Sequence, residues 1–293
     1  MDRFERQLAD YATQTNDALR DLLRVRGDCP QIVVVDAMRH SLLDAGKRVR
    51  AALALEFGRL TGANREAAMA CACALEMVHA YSLIHDDLPC MDDDDFRRGK
   101  PSCHRAFGEA NALLAGDALL THAFGVLAGA PMPDDRRARA VVVLSEAAGV
   151  YGMIGGQVLD LAAEETPVAL GELERLYSLK TGALLRAAAR LGCIAGGGPE
   201  AMFGTADAYT RALGLLFQIT DDILDVTGDA DKLGKPTGSD SQNHKTTYVS
   251  LLGIGEAKRR AAALAEEAAQ SVADVQDNGF LLWMARMILD RDH

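Results

Sequence analysis

Six aspartates, Asp86, Asp87, Asp92, Asp93, Asp94 and Asp95, fall within ten positions and are followed at once by Arg97, Arg98 and Lys100. A run of this kind is ordinarily a solvated loop. Here, however, Asp86 and Asp87 close a strongly apolar stretch that contains Met77, Val78, Tyr81, Leu83 and Ile84. A carboxylate pair at the edge of a core is costly without a partner. Clustered hard oxygens are what Mg²⁺ takes, usually with substrate phosphates completing its shell. A second set, Asp221, Asp222 and Asp225, follows the apolar run from Leu213 to Thr220. At helical spacing Asp221 and Asp225 share one face, with Gln218 three positions before Asp221. Charge inside an otherwise apolar helix points to a functional site, because unpaired buried charge is expensive.

Basic groups surround these sets in the sequence: Gly46-Lys47-Arg48-x-Arg50, Arg97-Arg98, Lys180-Thr181, Lys235 and Lys245. Two acidic walls on two long helices, facing a shared cavity and accompanied by cations, suit a ligand whose diphosphate groups are bridged by Mg²⁺.

The elements that must position these groups read as helices. Apolar residues recur at helical spacing over Asp2 to Val25, Ala51 to Leu60, Glu66 to His85, Ala110 to Leu127, Ala138 to Tyr151, Leu173 to Ala195, Ala206 to Val226 and Glu256 to Val275. Several are apolar on more than one face, as expected in the middle of a bundle. Breakers separate them at Thr61-Gly62, Gly99-Lys100-Pro101, Pro131-Met132-Pro133, Thr166-Pro167, Gly196 to Pro199 and Gly234 to Gly238. The only strand-like runs, Ile32 to Val35 and Val141 to Leu144, fit inside helical patterns. The expected fold is all-α, one compact domain over residues 1–293.

Composition agrees. Apolar residues make up 49% of the 293, mostly Ala, Leu and Val, while aromatics are only 5%. That mixture suits closely packed helices. A formal charge of −11, from 31 basic and 42 acidic side chains, argues against a nucleic-acid partner held by a basic surface. The six cysteines show no C-x-x-C pair and read as buried free thiols in a reducing compartment. The start, Met1-Asp2-Arg3-Phe4-Glu5, has acids where a targeting peptide avoids them, and no run approaches the roughly 20 uninterrupted apolar residues of a membrane span. A cytoplasmic protein is expected.

With both aspartate sets in place, the chain closely resembles the trans-prenyltransferase family of isoprenyl diphosphate synthases. The first set matches as D-D-x-x-x-x-D (Asp86, Asp87, Asp92) followed by R-R-G-K-P, and the second as D-D-x-x-D (Asp221, Asp222, Asp225). The likeness runs from Gly46-Lys47-Arg48 through Gly155-Gly156-Gln157-x-x-Asp160-Leu161 and Lys180-Thr181-Gly182 to Lys245 and the Thr-Thr-Tyr-Val-Ser-Leu-Leu-Gly that follows it. It implies a bundle of long, mostly antiparallel helices around a central cavity, working as a homodimer. It also implies that the six motif aspartates hold several Mg²⁺ ions, with Mn²⁺ able to substitute, and that these bridge to an allylic diphosphate. By the same likeness Arg97, Lys180, Thr181, Gln218, Lys235 and Lys245 face that diphosphate, Lys180 among the catalytic groups. Gly46, Lys47, Arg50, His79 and Arg98 look like the pocket for isopentenyl diphosphate.

Chain length in such an enzyme depends on what blocks the growing tail, and Tyr81 and Ser82 lie about one helical turn before Asp86. An aromatic there, with the two-residue extension inside the first motif, resembles bacterial-type farnesyl diphosphate synthases that use dimethylallyl and then geranyl diphosphate. Geranylgeranyl or geranyl diphosphate synthases remain alternatives, as does a non-catalytic regulatory subunit, although such subunits carry damaged aspartate motifs. His79 alone would read as a core histidine, and the resemblance reverses that. His85, His104 and His244 stay ambiguous, and Cys103-His104 lacks the further ligands of a zinc site.

Overall fold

A computed structural model describes residues 2–25, 27–43, 46–228 and 245–291. These residues are helical apart from turns and one two-stranded hairpin, so the all-α expectation holds. They divide into two compact units, 1–142 with 194–197 and 143–193 with 198–293, the boundary cutting two helices.

In the first unit, α1 (Arg3–Leu22) opens with the Asp2 N–H donating to the Glu5 carboxylate at 2.7 Å and buries Leu8, Thr15 and Leu19 along one stripe. α2 (Ile32–Leu42) absorbs the first strand-like run, and α3 (Val49–Leu60) follows. α4 (Arg65–Asp86) starts at Asn64, whose side chain accepts the Glu66 N–H at 2.8 Å, and it stops just before Leu88-Pro89, where proline disfavours a helical neighbour. Ala67, Ala68, Cys71, Ala72, Cys73 and Ala74 are all buried, and these small side chains let α4 pack closely against α3 and α6 (Glu109–Ala128). Between α4 and α6 run β1 (Phe96–Arg97), β2 (Lys100–Pro101) and the short α5 (Cys103–Phe107). α7 (Asp134–Ala148) carries part of the boundary.

α4 and α6, together with the stretch Asp134–Glu164, are long and apolar enough by length and composition to cross a membrane, contrary to the expectation drawn from the lack of an uninterrupted apolar run. For α4 the bundle interior accounts for this character, since 72% of its apolar window is buried in the protein.

One buried ion pair ties the first unit together. Arg48, at φ +54°, places its guanidinium 2.8 Å from Glu76 of α4, and both side chains are almost fully enclosed. The same guanidinium donates to Asn16 of α1 at 2.7 and 3.1 Å and to the Leu42 carbonyl of α2. The other Glu76 oxygen accepts the Ala51 N–H of α3 at 3.1 Å. Four helices therefore converge on a single pair of charges.

In the second unit the helical run from Leu170 to Gly196 reads as α9 (Leu170–Tyr177), a π-helical turn (Ser178–Gly182) and α10 (Ala183–Gly196). Before it stands α8 (Met153–Glu165), absent from the sequence reading, and after it α11 (Glu200–Thr227), whose 28 residues span about 42 Å. α12 (Tyr248–Leu252), α13 (Ile254–Ser271) and α14 (Gly279–Leu289) complete the unit, the last two packing on α11, where Tyr209 donates to the Leu281 carbonyl at 2.8 Å.

All six cysteines are free. Four are buried as expected, while Cys29 is half-buried and Cys90 is exposed in the loop after α4.

Replacing Glu76 by Leu strands the Arg48 guanidinium inside the bundle and should cost about 3–5 kcal/mol, read as a lowered urea midpoint. Arg48→Met added to Glu76→Leu should restore part of that loss, because no charge is then left unpaired, but not all of it, since the Leu42 carbonyl and Ala51 N–H stay unsatisfied. A single-variant loss below about 1 kcal/mol would show that the pair is not what holds these helices.

Candidate active site

The first aspartate motif sits where α4 ends. Asp87 is only 2% exposed, and its carboxylate accepts two donors from Arg97, the Nε at 2.9 Å and an Nη. Burial pushes the Asp87 carboxyl up from its ordinary range, and the Arg97 guanidinium acts in the opposite direction. Arg97 also meets Asp94 at 3.0 Å. The hairpin exists to make this delivery. Its turn, Arg98-Gly99, has φ of +54° and +74°, the two consecutive positive values that suit a tight two-residue hairpin loop and that glycine adopts at little cost. Asp92, in the exposed loop, returns to the helix end through its N–H, which donates to the Asp86 carbonyl at 2.9 Å. The extra residues inside the motif thus form a turn that brings the first and third aspartates back together.

Gly46, Lys47, Arg50, His79 and Arg98 belong to the same unit. Gly46 has φ +68°, and a Cβ there would lie 3.5 Å from the Arg98 guanidinium, so the loop before α3 and the hairpin turn come into contact. Burial, followed by the charges of Arg50 and Arg98 and more weakly Arg48 and Arg97, holds the His79 imidazole well below its ordinary value. Neutral imidazole beside a group of guanidiniums fits a place where anionic oxygens are received. Tyr81 is buried, edge-on to His85 at 5.6 Å, and burial pushes its phenol up to about 12. Its hydroxyl finds no hydrogen-bond partner among the described residues. Ser82 donates to the His79 carbonyl at 2.9 Å. His85 is structural: its Nε2 meets the Leu113 carbonyl at 3.1 Å, and any Cβ at Gly116 would collide with its ring. His104 Nδ1 pairs with Ser102 Oγ at 3.1 Å, and no metal cluster gathers around it.

In the second unit Asp221 and Asp225 share one face of α11. The Asp221 carboxylate lies 3.0 Å from Arg291, whose guanidinium also stacks over Phe217 at 4.9 Å. Asp222 is turned into the protein, where it accepts the Tyr177 hydroxyl at 2.9 and 3.0 Å and the Tyr248 N–H at 2.8 Å. Thr181 donates to Gln218 at 2.9 Å. Lys180 forms an ion pair with Asp160, and Lys245 one with Glu164 at 3.3 Å. Lys235 and His244 lie outside the described residues.

The glycines explain how these segments approach one another. A Cβ on Gly156 would sit 2.2 Å from the Lys180 backbone nitrogen, and one on Gly214 would sit 3.2 Å from the Gly182 Cα. α8 and α11 therefore press against the π turn from two directions, and that turn carries Lys180 and Thr181. Asp160, Glu164, Tyr177, Tyr248, Glu76 and Arg291 are the participants that the sequence reading left without roles. Asp160 and Tyr248 had a signal there, through their motifs.

Among the described residues no group of three or more His, Cys, Asp or Glu side chains is arranged to hold a metal by itself. The donor set, carboxylates only and without sulfur or imidazole, fits Mg²⁺, which is held by one or two carboxylates while phosphates supply further oxygens.

Comparison with known proteins decides the family. The polyprenyl synthetase model matches residues 32–278. The chain belongs to the polyprenyl synthetase family. As a member it is a trans-prenyltransferase. It is 47% identical to the farnesyl diphosphate synthase of Escherichia coli (strain K12), over 94% of this chain and 93% of that one. It is 44% identical to a chloroplastic geranylgeranyl pyrophosphate synthase of Capsicum annuum, over 99% and 79% of the two chains. The crystal structure of an FPP/GFPP synthase from Zymomonas mobilis superposes with a TM-score of 0.87 at 37% identity, covering 98% of each chain. The polyprenyl synthetase likeness thus rests on sequence and on fold alike.

The depressed imidazole yields a pH test. A histidine held neutral in the fold takes up a proton on unfolding, so stability is lost as pH falls through the unfolded value near 6.5. Between about pH 7.5 and 5.5 the wild type should lose about 1–1.5 kcal/mol that His79→Gln does not lose, measured by denaturant unfolding of both proteins. Parallel pH profiles would mean that the imidazole takes up its proton as readily in the fold as in the unfolded chain.

Proposed function

We propose that the protein is a farnesyl diphosphate synthase, joining dimethylallyl and then geranyl diphosphate head-to-tail to isopentenyl diphosphate. The observation that carries the product length is Tyr81, a buried ring five positions before Asp86 on a helix whose other buried positions are mostly small or aliphatic. Relatives of comparable identity are named for fifteen-carbon and for twenty-carbon products, so family membership alone does not choose between them.

Asp86 and Asp92 of the first motif and Asp221 and Asp225 of the second are the carboxylates we assign to Mg²⁺, with Mn²⁺ able to substitute. Asp87 steadies Arg97. When bound, the metal neutralises the charge that develops on a departing diphosphate and so favours breakage of the allylic C–O bond. Arg97, Lys180, Thr181, Gln218, Lys235 and Lys245 are the donors we assign to the same leaving group, and cations placed where negative charge grows stabilise it further. Lys47, Arg50, Arg98 and neutral His79 hold the diphosphate of isopentenyl diphosphate, so that its double bond is oriented towards the allylic carbon. Apolar walls exclude water, which would otherwise capture the allylic cation as an alcohol. The new carbon–carbon bond forms, a proton is lost from the former isopentenyl unit, and the released diphosphate is the base at hand.

Two features support a homodimer in the cytoplasm. The bacterial relatives share nearly the whole chain, and the apolar helix α6 leaves Leu113 and Leu114 exposed, as a helix covered by a second copy would. A non-catalytic subunit is disfavoured because both aspartate motifs are intact.

Chromatography of the dephosphorylated products, under excess isopentenyl diphosphate, tests the reading. Wild type should stop at farnesol. Tyr81→Ala removes the ring that blocks the tail and leaves apolar space for a further five-carbon unit, so geranylgeraniol should become a major product. An unchanged distribution in the variant puts the floor of the tail pocket elsewhere, and geranylgeraniol from the wild type makes the protein a twenty-carbon synthase.

A further inference from the structure

The second motif contains two adjacent aspartates, and adjacent residues on an α-helix point about 100° apart, so they cannot both serve one face. Asp221 and Asp225, four apart, share a face, and Asp222 does not belong to it. The Asp222 carboxylate is 7% exposed, and both its oxygens are engaged. One accepts the Tyr177 hydroxyl at 3.0 Å, and the other accepts the same hydroxyl at 2.9 Å together with the Tyr248 N–H at 2.8 Å. The rings of Tyr177 and Tyr248 stack at 6.3 Å, and the Tyr248 hydroxyl is bonded to Glu174 of α9.

These partners sit next to the cations in the chain. Tyr177 immediately precedes the π turn that carries Lys180 and Thr181, and Tyr248 follows Lys245 by three residues. Between Lys245 and Tyr248, Thr247 caps α12, accepting the Ser250 N–H at 3.1 Å while its own N–H donates to Ser250 Oγ at 2.8 Å. Both lysines then reach the same helix: Lys180 pairs with Asp160, and Lys245 pairs with Glu164 one turn further along α8. Asp222 is thus the point at which two separate cation-bearing segments are fastened to α11.

We propose that Asp222 is a positioning residue and not a metal ligand, fixing Lys180 and Lys245 relative to the Asp221–Asp225 face through Tyr177 and Tyr248. The proposal rests on the prenyltransferase reading above, in which those two lysines receive the allylic diphosphate. It divides the motif by role: two aspartates hold metal, and the middle one sets where the cations stand. A buried carboxylate suits this task, because charge-assisted hydrogen bonds are short and strong and resist displacement by water.

Mn²⁺ binding in the presence of inorganic diphosphate, followed by electron paramagnetic resonance, separates the two roles without turnover. Asparagine is isosteric with aspartate, accepting from the Tyr248 N–H and donating to the Tyr177 hydroxyl, yet it lacks the charge a metal requires. Asp222→Asn should therefore retain Mn²⁺ binding within about a factor of two, while Asp221→Asn should weaken it on the order of tenfold or more. Tyr177→Phe removes only a hydroxyl that no metal scheme uses. It should raise KM for geranyl diphosphate on the order of tenfold, leave KM for isopentenyl diphosphate unchanged, and add nothing further in an Asp222→Ala background. Mn²⁺ binding lost in Asp222→Asn, or an unaltered geranyl diphosphate KM in Tyr177→Phe, overturns the proposal. If Asp221→Asn also keeps its Mn²⁺, the metal assignment fails instead, and the Tyr177→Phe kinetics still decide the role of Asp222.

Discussion

A charge buried without partners costs several kcal/mol, and a chain that needs carboxylates at the ends of apolar helices must meet that cost locally. Each unit contains a buried charged group whose partners come from several elements. In the first unit Arg48 gathers Glu76, Asn16 and the Leu42 carbonyl, and through Glu76 the Ala51 N–H, so that α1, α2, α3 and α4 share one network. In the second unit Asp222 gathers Tyr177 and Tyr248. The effect of the two groups is to fix the backbone from which the reactive side chains project: the Gly46–Lys47 loop and Arg50 around the first, and Lys180, Thr181 and Lys245 around the second.

The cations are also held in advance. Arg97 rests on Asp87 and Asp94, Lys180 on Asp160, and Lys245 on Glu164. Long flexible side chains lose up to about 2 kcal/mol of rotamer entropy when ordered, and carboxylates that already order them reduce what a diphosphate must supply on binding. Glycine makes the same economy possible in the backbone. Gly156 lets α8 close on the π turn to a distance that any side chain would prevent, and Gly214 gives α11 a close approach that a Cβ would crowd at 3.2 Å.

Much of this was legible in the sequence, for identifiable reasons. Long helices announce themselves through apolar periodicity, so α1, α3, α4, α6, α11 and α13 lie within a few residues of their expected bounds. The aspartate motifs stand out because charge is improbable in such helices. Three kinds of feature stayed hidden. α8 was missed, although its Gly156 serves packing against Lys180. The π turn at Ser178–Gly182 was folded into one long helix, since a single inserted residue barely disturbs a 3.6-residue pattern. The roles of Arg48, Asp222, Tyr177 and Tyr248 depend on which groups meet in space, and partners 45 and 26 residues from Asp222 leave no local trace. Resemblance treated the six motif aspartates as one class, whereas the hydrogen bonds that Asp87 takes from Arg97, and Asp222 from Tyr177 and Tyr248, set these two apart.

The central claim is that Asp86, Asp92, Asp221 and Asp225 act through metal on the allylic diphosphate. The most direct measurement is the rate of condensation of geranyl diphosphate with isopentenyl diphosphate as Mg²⁺ is titrated into metal-stripped protein, for the wild type and for Asp86→Ala and Asp221→Ala. The account predicts no turnover in excess EDTA, recovery with Mg²⁺ or Mn²⁺, and turnover lower by at least about a hundredfold in either variant at saturating metal. Full activity in EDTA, or near-native turnover in both variants, would contradict it.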